Sequence, residues 1–179
     1  MDKNLFEIVQ NIGICETGKR YLDKEKKDID FLIKVWKRWP EYFIEHSTKV
    51  VDIFRQYLSE NDKLKLEESN IYFDSIANNI IDSDTVFISG TSKIDLEIKD
   101  WAVMKIYLFD DSNLNLRCGQ NSIVNVECYN DAHIEIESKE NSRILVFQND
   151  QSTVVSDKAK IVKKTYKRGE VFNGSETVK

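Results

Sequence analysis

The sequence predicts an α+β chain: an N-terminal helical unit followed by a short two-sheet β-solenoid built from ten-residue half-coils. Three observations carry this expectation. Apolar residues fall at helical spacing between about Thr17 and Leu58. A small residue then recurs every ten positions from Ser92 to Ser152, and the outward residues of those repeats sort into two unlike faces. An antiparallel sandwich or meander is the alternative, because strands spaced about 8–12 residues apart are its signature too. The reading divides the chain into a helical unit at 1–82, repeats at 83–164, and a basic C-terminal cap or tail at 165–179.

Composition sets the frame. With 179 residues the chain can form one ordinary domain or two small ones. Its 41% hydrophobic, 32% charged and 11% aromatic content is globular rather than disordered or collagen-like. Six glycines and one proline exclude Gly/Pro-rich linkers. A net charge of -5 argues against a nucleic-acid binder held by a global basic field. No apolar run approaches the ~18 residues of a membrane span, and the N-terminus lacks the apolar core of a secretory signal. Cys15, Cys118 and Cys128 are too sparse for a disulfide scaffold, so the cytosol is the expected compartment.

In the helical part, Leu32, Val35, Trp36 and Trp39 form an apolar stripe, with Asp28 or Asp30 as N-cap. Pro40 disfavours helix at Trp39 and suits the first turn of a new one. Trp39 to Phe43 reads as a short aromatic connector. Ser47 or Thr48 is the expected cap of the next helix, whose stripe is Val50, Val51, Phe54, Tyr57 and Leu58. Lys63 to Leu66 alternates, and Ile71 to Ile81 reads as helix or loop. This unit is too small to bury its own apolar face.

The repeat begins with Ser92, Ala102, Ser112, Ser122, Ala132, Ser142 and Ser152. Two places on come Ile94, Met104, Leu114, Val124, Ile134, Ile144 and Val154; two further on come Leu96, Ile106, Leu116, Val126, Ile136 and Val146. The third inward row becomes polar toward the C-terminus, at Ser138 and Gln148. Turn residues close the units, as at Asp110-Asp111, Asn130-Asp131 and Glu140-Asn141. Val86 and Ile88 fit the same register one unit earlier.

Two units per coil place alternate units on opposite sheets. Of sixteen outward residues on one set of units, only Val155 and Ala159 are apolar. Of twelve on the other, seven are apolar or aromatic: Val103, Tyr107, Phe109, Ile123, Tyr129, Leu145 and Phe147. One face is therefore expected to be wet and the other covered. The covering group is the helical unit, through Trp36, Trp39, Phe43 and Phe54, or another subunit or partner protein. These seven residues, with Trp36 and Trp39, are the candidate interface. The open ends of the stack need caps, which the helical unit and Ile161 to Phe172 can supply.

Candidate chemistry is sparse. Gly13 to Lys19 matches the G-x-x-x-x-G-K part of a phosphate-binding loop, but Arg20 replaces the magnesium-binding hydroxyl and no alternating α/β pattern follows. Cys118 and Cys128 occupy equivalent inward positions and read as small core residues. His133 lies beside Glu135 and Glu137 on the polar face. Left-handed β-helix acyltransferases use a solenoid histidine as general base, yet their six-residue period is absent here. His46 reads as a helix-terminal or interface residue. No Ser/His/Asp ordering emerges, so no catalytic, cofactor or metal residue is assigned.

Charge is uneven. Residues 84–157 carry six Lys/Arg against thirteen Asp/Glu, whereas 158–179 carry seven against two. Lys158, Lys160, Lys163, Lys164, Lys167 and Arg168 therefore form either a nucleic-acid arm or a terminus attracted to its own acidic repeats, and the second is expected.

The Trp36 to His46 segment (Trp-Lys-Arg-Trp-Pro-Glu-Tyr-Phe-Ile-Glu-His) and the Ser/Ala-x-Ile/Leu/Val-x-Ile/Leu/Val units resemble proteins of bacterial phages and mobile elements, notably in Bacteroidetes, that join a small helical unit to a short β-repeat. The resemblance implies no activity and no catalytic residues. The expected function is a non-enzymatic interaction or assembly protein with a rigid solenoid platform that binds a protein partner or itself. A phage-encoded sequestering or inhibitory binder is the alternative.

Overall fold

Backbone torsions at the corners set the architecture. The computed structural model describes residues 28–81 and 84–163. Within them, four helices precede eleven parallel strands in two sheets, forming a β-solenoid of about four turns. The parallel ladders exclude the antiparallel sandwich.

Helix α1 (Ile29–Arg38) starts where Asp28, in extended conformation, accepts the Phe31 N–H at 3.1 Å. It ends at Trp39, and Pro40 opens α2 (Pro40–Glu45) at a position that needs no N–H donor. The expected aromatic connector is thus a short helix. Ser47 does not cap the next helix. His46 sits at that boundary without a side-chain bond, and Ser47 is the first residue of α3 (Ser47–Tyr57). The alternating Lys63–Leu66 run is also helical, in α4 (Glu60–Glu68), because a Ser59–Asp62 capping box satisfies its first amides.

Chain reversal at Asn70, with φ 61°, leads into β1 (Ile71–Phe73) and β2 (Ile76–Ile81), where helix or loop was expected. These strands escape the ten-residue pattern because their coil is short. Ile71 pairs with Phe87 and Ile76 with Lys93, offsets of 16 and 17 residues. From β3 (Asp84–Ser89) the offset is 20, as in Val103 on Ile123 and Lys93 on Asn113, until the last strand pair of the six-stranded sheet, where Lys160 pairs with Leu145 at an offset of 15. The strands β4 (Lys93–Ile98), β6 (Asn113–Cys118), β8 (His133–Ser138) and β10 (Thr153–Ser156) stack on β2 as a five-stranded sheet. The strands β5 (Val103–Leu108), β7 (Ile123–Cys128), β9 (Arg143–Gln148) and β11 (Lys160–Lys163) join β1 and β3 in a six-stranded sheet.

The two corners differ, which is why the true repeat is a coil of two units. From the six- to the five-stranded sheet, the left-handed residue is the first of the turn pair: Gly90, Asp110, Asn130 and Asp150. On the return it is the second: Trp101, Asn121 and Asn141. The recurring small residue closes the corner. The hydroxyls of Ser92, Ser112, Ser122, Ser142 and Ser152 donate to the carbonyl three residues back at 2.6–2.9 Å. Gly90 differs from its sister corners Asp110, Asn130 and Asp150, which hold the same left-handed φ, because a Cβ there would run into the Asp74 carboxylate.

Between the sheets, Ile94, Leu96, Ile106, Leu116, Val124, Val126, Ile134 and Val146 form the buried inner rows. A second core lies outside the six-stranded sheet. There Phe31, Leu32, Val35, Trp36, Phe43 and Phe54 of the helices pack on Ile71, Phe73, Phe87, Tyr107, Phe109 and Tyr129. Trp36 stacks on Phe43 with ring centroids 4.4 Å apart, and Phe54 meets Phe73 edge-on at 5.5 Å. The aromatic part of the apolar sheet face is therefore covered by the same chain.

One ion pair ties the two cores. Arg55 on α3 donates two hydrogen bonds, of 2.7 and 2.9 Å, to Asp74 in the first corner, and Asp74 in turn accepts the Thr91 N–H at 2.8 Å. Burial pushes the Asp74 carboxyl up, but the Arg55 and Thr91 hydrogen bonds outweigh it and hold it below the ordinary 3.8. Asp74→Asn keeps a residue suited to its φ of 50° and removes the charge. With Arg55 43% exposed, it should cost about 1–2 kcal/mol in urea unfolding near neutral pH. A lowered carboxyl pKa stabilises above the unfolded value and is lost as pH falls through the folded one. The gap between wild type and Asp74→Asn should therefore close on acidification below 3.8.

Candidate interaction surface

The second core claims much of the interface expected from the sequence. Trp36, Tyr107, Phe109 and Tyr129 are buried in it, and Trp39 packs at its margin. Trp36, Tyr107, Phe109 and Tyr129 meet within one chain and are closed to a second molecule, while Trp39 stays partly exposed. Leu145 and Phe147 on β9 are half-buried. Around the core rim, Lys105 pairs with Glu127 at 2.9 Å and lies 4.4 Å from the Tyr107 ring centroid, while the Tyr129 hydroxyl donates to Glu127 at 2.6 Å.

Val103 and Ile123 remain exposed. They are direct neighbours at the start of β5 and β7, and are 64% and 44% accessible. Two residues before Val103 stands Trp101, 75% exposed in the corner. Its N–H donates to the Gln120 carbonyl at 2.9 Å, so its backbone belongs to the stack. Its side chain is the anomaly. The φ of Trp101 is 65°, a left-handed geometry that favours Asn, Asp or Gly, and the equivalent corners use Asn121 and Asn141. The sequence repeat alone does not reveal this, because Trp101 falls between the small-residue and apolar rows.

From β4 to β8 the outer face of the five-stranded sheet is polar. Its rungs place Asp95, Asn115 and Glu135 in one row, and Glu97, Arg117 and Glu137 in another. Asn115 donates to Asp95 at 2.7 Å. His133 Nδ1 lies 2.6 Å from Thr153 Oγ1, and Nε2 lies 3.3 Å from Glu135 Oε1. This is a hydroxyl–imidazole–carboxylate row, but its backbone amides are already used in the ladder. The His133 N–H donates to Ser112 and the Thr153 N–H to Ala132, both at 2.8 Å, leaving neither to stabilise an oxyanion. His46 sits at the α2–α3 junction, its ring 4.9 Å from Tyr42, and burial holds its pKa below the ordinary value.

Cys118 and Cys128 are free and buried on opposite sheets. Burial pushes both thiols up to about 12, which suppresses the reactive thiolate. Among the described residues no group of three or more His, Cys, Asp or Glu is placed to hold a metal. Lys158, Lys160 and Lys163 are exposed, and Lys158 Nζ donates to the Ser138 carbonyl at 3.3 Å. The Gly13–Lys19 motif, Cys15, Lys164, Lys167 and Arg168 lie outside the described residues, as does most of the expected C-terminal cap. No protein-family model, curated protein or solved structure matches the chain.

Two outcomes follow. In a Cys15→Ser background, a thiol reagent such as Ellman's should label neither remaining cysteine until denaturant is added. Trp101→Asn should raise stability by about 1 kcal/mol in urea unfolding, because a left-handed bulky residue costs roughly that much. A destabilised variant would mean that Trp101 supports the fold.

Proposed function

We propose that this chain is a non-enzymatic interaction protein of the cytoplasm, whose solenoid holds the Trp101–Val103–Ile123 edge rigidly for a protein partner with an apolar pocket. The observation that carries the reading is Trp101, which is exposed and held at a left-handed φ where the sister corners have Asn. Strain retained at a site the fold does not need is a signature of function. An exposed tryptophan flanked by aliphatic residues also has the composition of a binding hot spot. The Trp101 N–H to Gln120 and Ile123 N–H to Ala102 bonds, with the Ser122 clamp, hold the edge in one conformation, which lowers the entropy cost of docking.

The polar face supports a protein rather than a nucleic acid as partner. Asp95, Glu97, Glu135, Glu137 and Asp157 face Lys93, Lys99, Arg117 and Lys139 there, so the face lacks the basic excess that phosphate binding draws on. The junction between helices and sheet is filled by side chains such as Trp36, Phe54, Phe73 and Phe87, each no more than 1% exposed. That favours docking on the surface over a ligand gripped inside.

Affinity capture from the source cells, with wild type and Trp101→Asn as parallel baits, tests the reading. A partner should be recovered by wild type and lost with Trp101→Asn and with Val103→Lys. Partners retained in full by both variants would sink it.

A further inference from the structure

We infer that two copies of this chain pair antiparallel through β2, about a two-fold axis at Asn78. This assigns the self-association surface of the interaction protein proposed above and rests on that reading. Among the described residues β2 is the outermost strand of the five-stranded sheet. Lys93 N–H donates to the Ser75 carbonyl and Lys99 N–H to that of Ile81. In a parallel ladder the N–H and C=O of one residue point to the same side and alternate along the strand. The odd-numbered residues of β2 therefore face β4, and the N–H and C=O of Ile76, Asn78 and Ile80 point out of the sheet edge.

The same three residues carry the exposed side chains of β2. Ile76 is 86% and Ile80 63% accessible. Ile76–Ile81 contains neither charge nor proline, the devices that normally block edge pairing. At the C-terminal end, β11 of the six-stranded sheet carries Lys160 and Lys163, while β10, the other edge of the five-stranded sheet, is uncharged but only four residues long, Thr153–Ser156. Among the described residues, the sheet residues of the helical core lie on or just after strands of the other sheet.

The occupant follows from symmetry. Ile76, Asn78 and Ile80 read the same in both directions, so an antiparallel copy centred on Asn78 sets Asn78 against Asn78 and Ile76 against Ile80. All of these are hydrogen-bonded pairs, because their amides and carbonyls already face the edge. The Ile–Ile pairs then cover each other on the outer surface. A one-residue slip sets outward against inward side chains, and a two-residue slip sets Ile80 on Asn78. A two-fold contact also closes, whereas β10 of one copy on β2 of the next would grow an open filament.

Sedimentation velocity and light scattering on the full chain should give twice the 21.0 kDa chain mass. Ile76→Lys combined with Ile80→Lys should halve that mass and leave the circular dichroism spectrum unchanged. Should that variant not fold, a Cys15→Ser, Asn78→Cys chain decides independently. The Cα separation of a hydrogen-bonded antiparallel pair, about 5.5 Å, is within disulfide range, so oxidation should yield a covalent dimer. A monomeric wild type, a ladder of higher oligomers, a dimer that survives the double substitution, or a dimer without Asn78→Cys cross-linking would each overturn the inference. Partner capture lost on Trp101→Asn with a monomeric wild type would overturn this pairing alone. A two-fold dimer whose partner capture ignores Trp101 would overturn only the proposed docking edge.

Discussion

The central coils, on which the rest of the structure is built, depend on the chain returning to register after 20 residues. A parallel ladder cannot tolerate a one-residue error, because such a slip moves every apolar side chain to the opposite face. The chain meets the requirement at its corners. One residue adopts a left-handed φ, and a serine hydroxyl donates back to the carbonyl three residues earlier. Carboxylates then join one corner to the next, as Asp110 does by accepting the Gly90 N–H at 3.0 Å and Asp150 by accepting that of Asn130 at 3.1 Å. Asp and Asn suit these sites because they combine tolerance of left-handed geometry with side chains that bond to backbone.

The register fixes side-chain direction and so leaves the six-stranded sheet with an aromatic outer face. That surface cannot stay in water in a stable monomer. The helices have the complementary problem, an apolar stripe with no core of its own. Packing Trp36 and Phe54 onto Phe73, Phe87 and Phe109 resolves both, and Arg55 on Asp74 fixes where the helices sit relative to the first coil. The helices cover the ends of the strands near Tyr107 and Phe109 rather than their starts. Val103 and Ile123 stay accessible for that reason.

Two features go against the local logic of the fold, and the functional proposals rest on them. Trp101 occupies a corner that Asn serves better, and β2 presents a six-residue uncharged edge with Ile76 and Ile80 exposed. Neither was legible from the repeat. Trp101 lies between the periodic rows. Because the first coil is three residues shorter than its successors at Ile76–Lys93, β2 falls outside the ten-residue register. The helix starting after Asp28 and the break at Trp39-Pro40 were legible, since a cap and a proline act over one turn. The role of Ser47 was not. Its type permits a cap, but the preceding helix α2 already supplies the chain entry at His46.

The sequence by itself favoured the two-sheet solenoid and placed its inward rows from Val86 to Val154, because strict alternation combined with a ten-residue period leaves few ways to bury the same residues. The parallel pairing and the two extra strands β1 and β2 came only with the structure. The sequence also determined that one sheet face needed a cover. Only the tertiary structure decided what covers it and what remains exposed. Trp36, Trp39, Tyr107, Phe109 and Tyr129 are indistinguishable in sequence from partner-binding aromatics, and their burial depends on where a separate helical unit docks. Docking is set by contacts far apart in the chain, such as Arg55 with Asp74 and Trp36 with Phe109, whose centroids are 6.5 Å apart. No local periodicity encodes such distances, whereas hydrogen bonds between neighbouring coils repeat at a spacing the sequence itself displays.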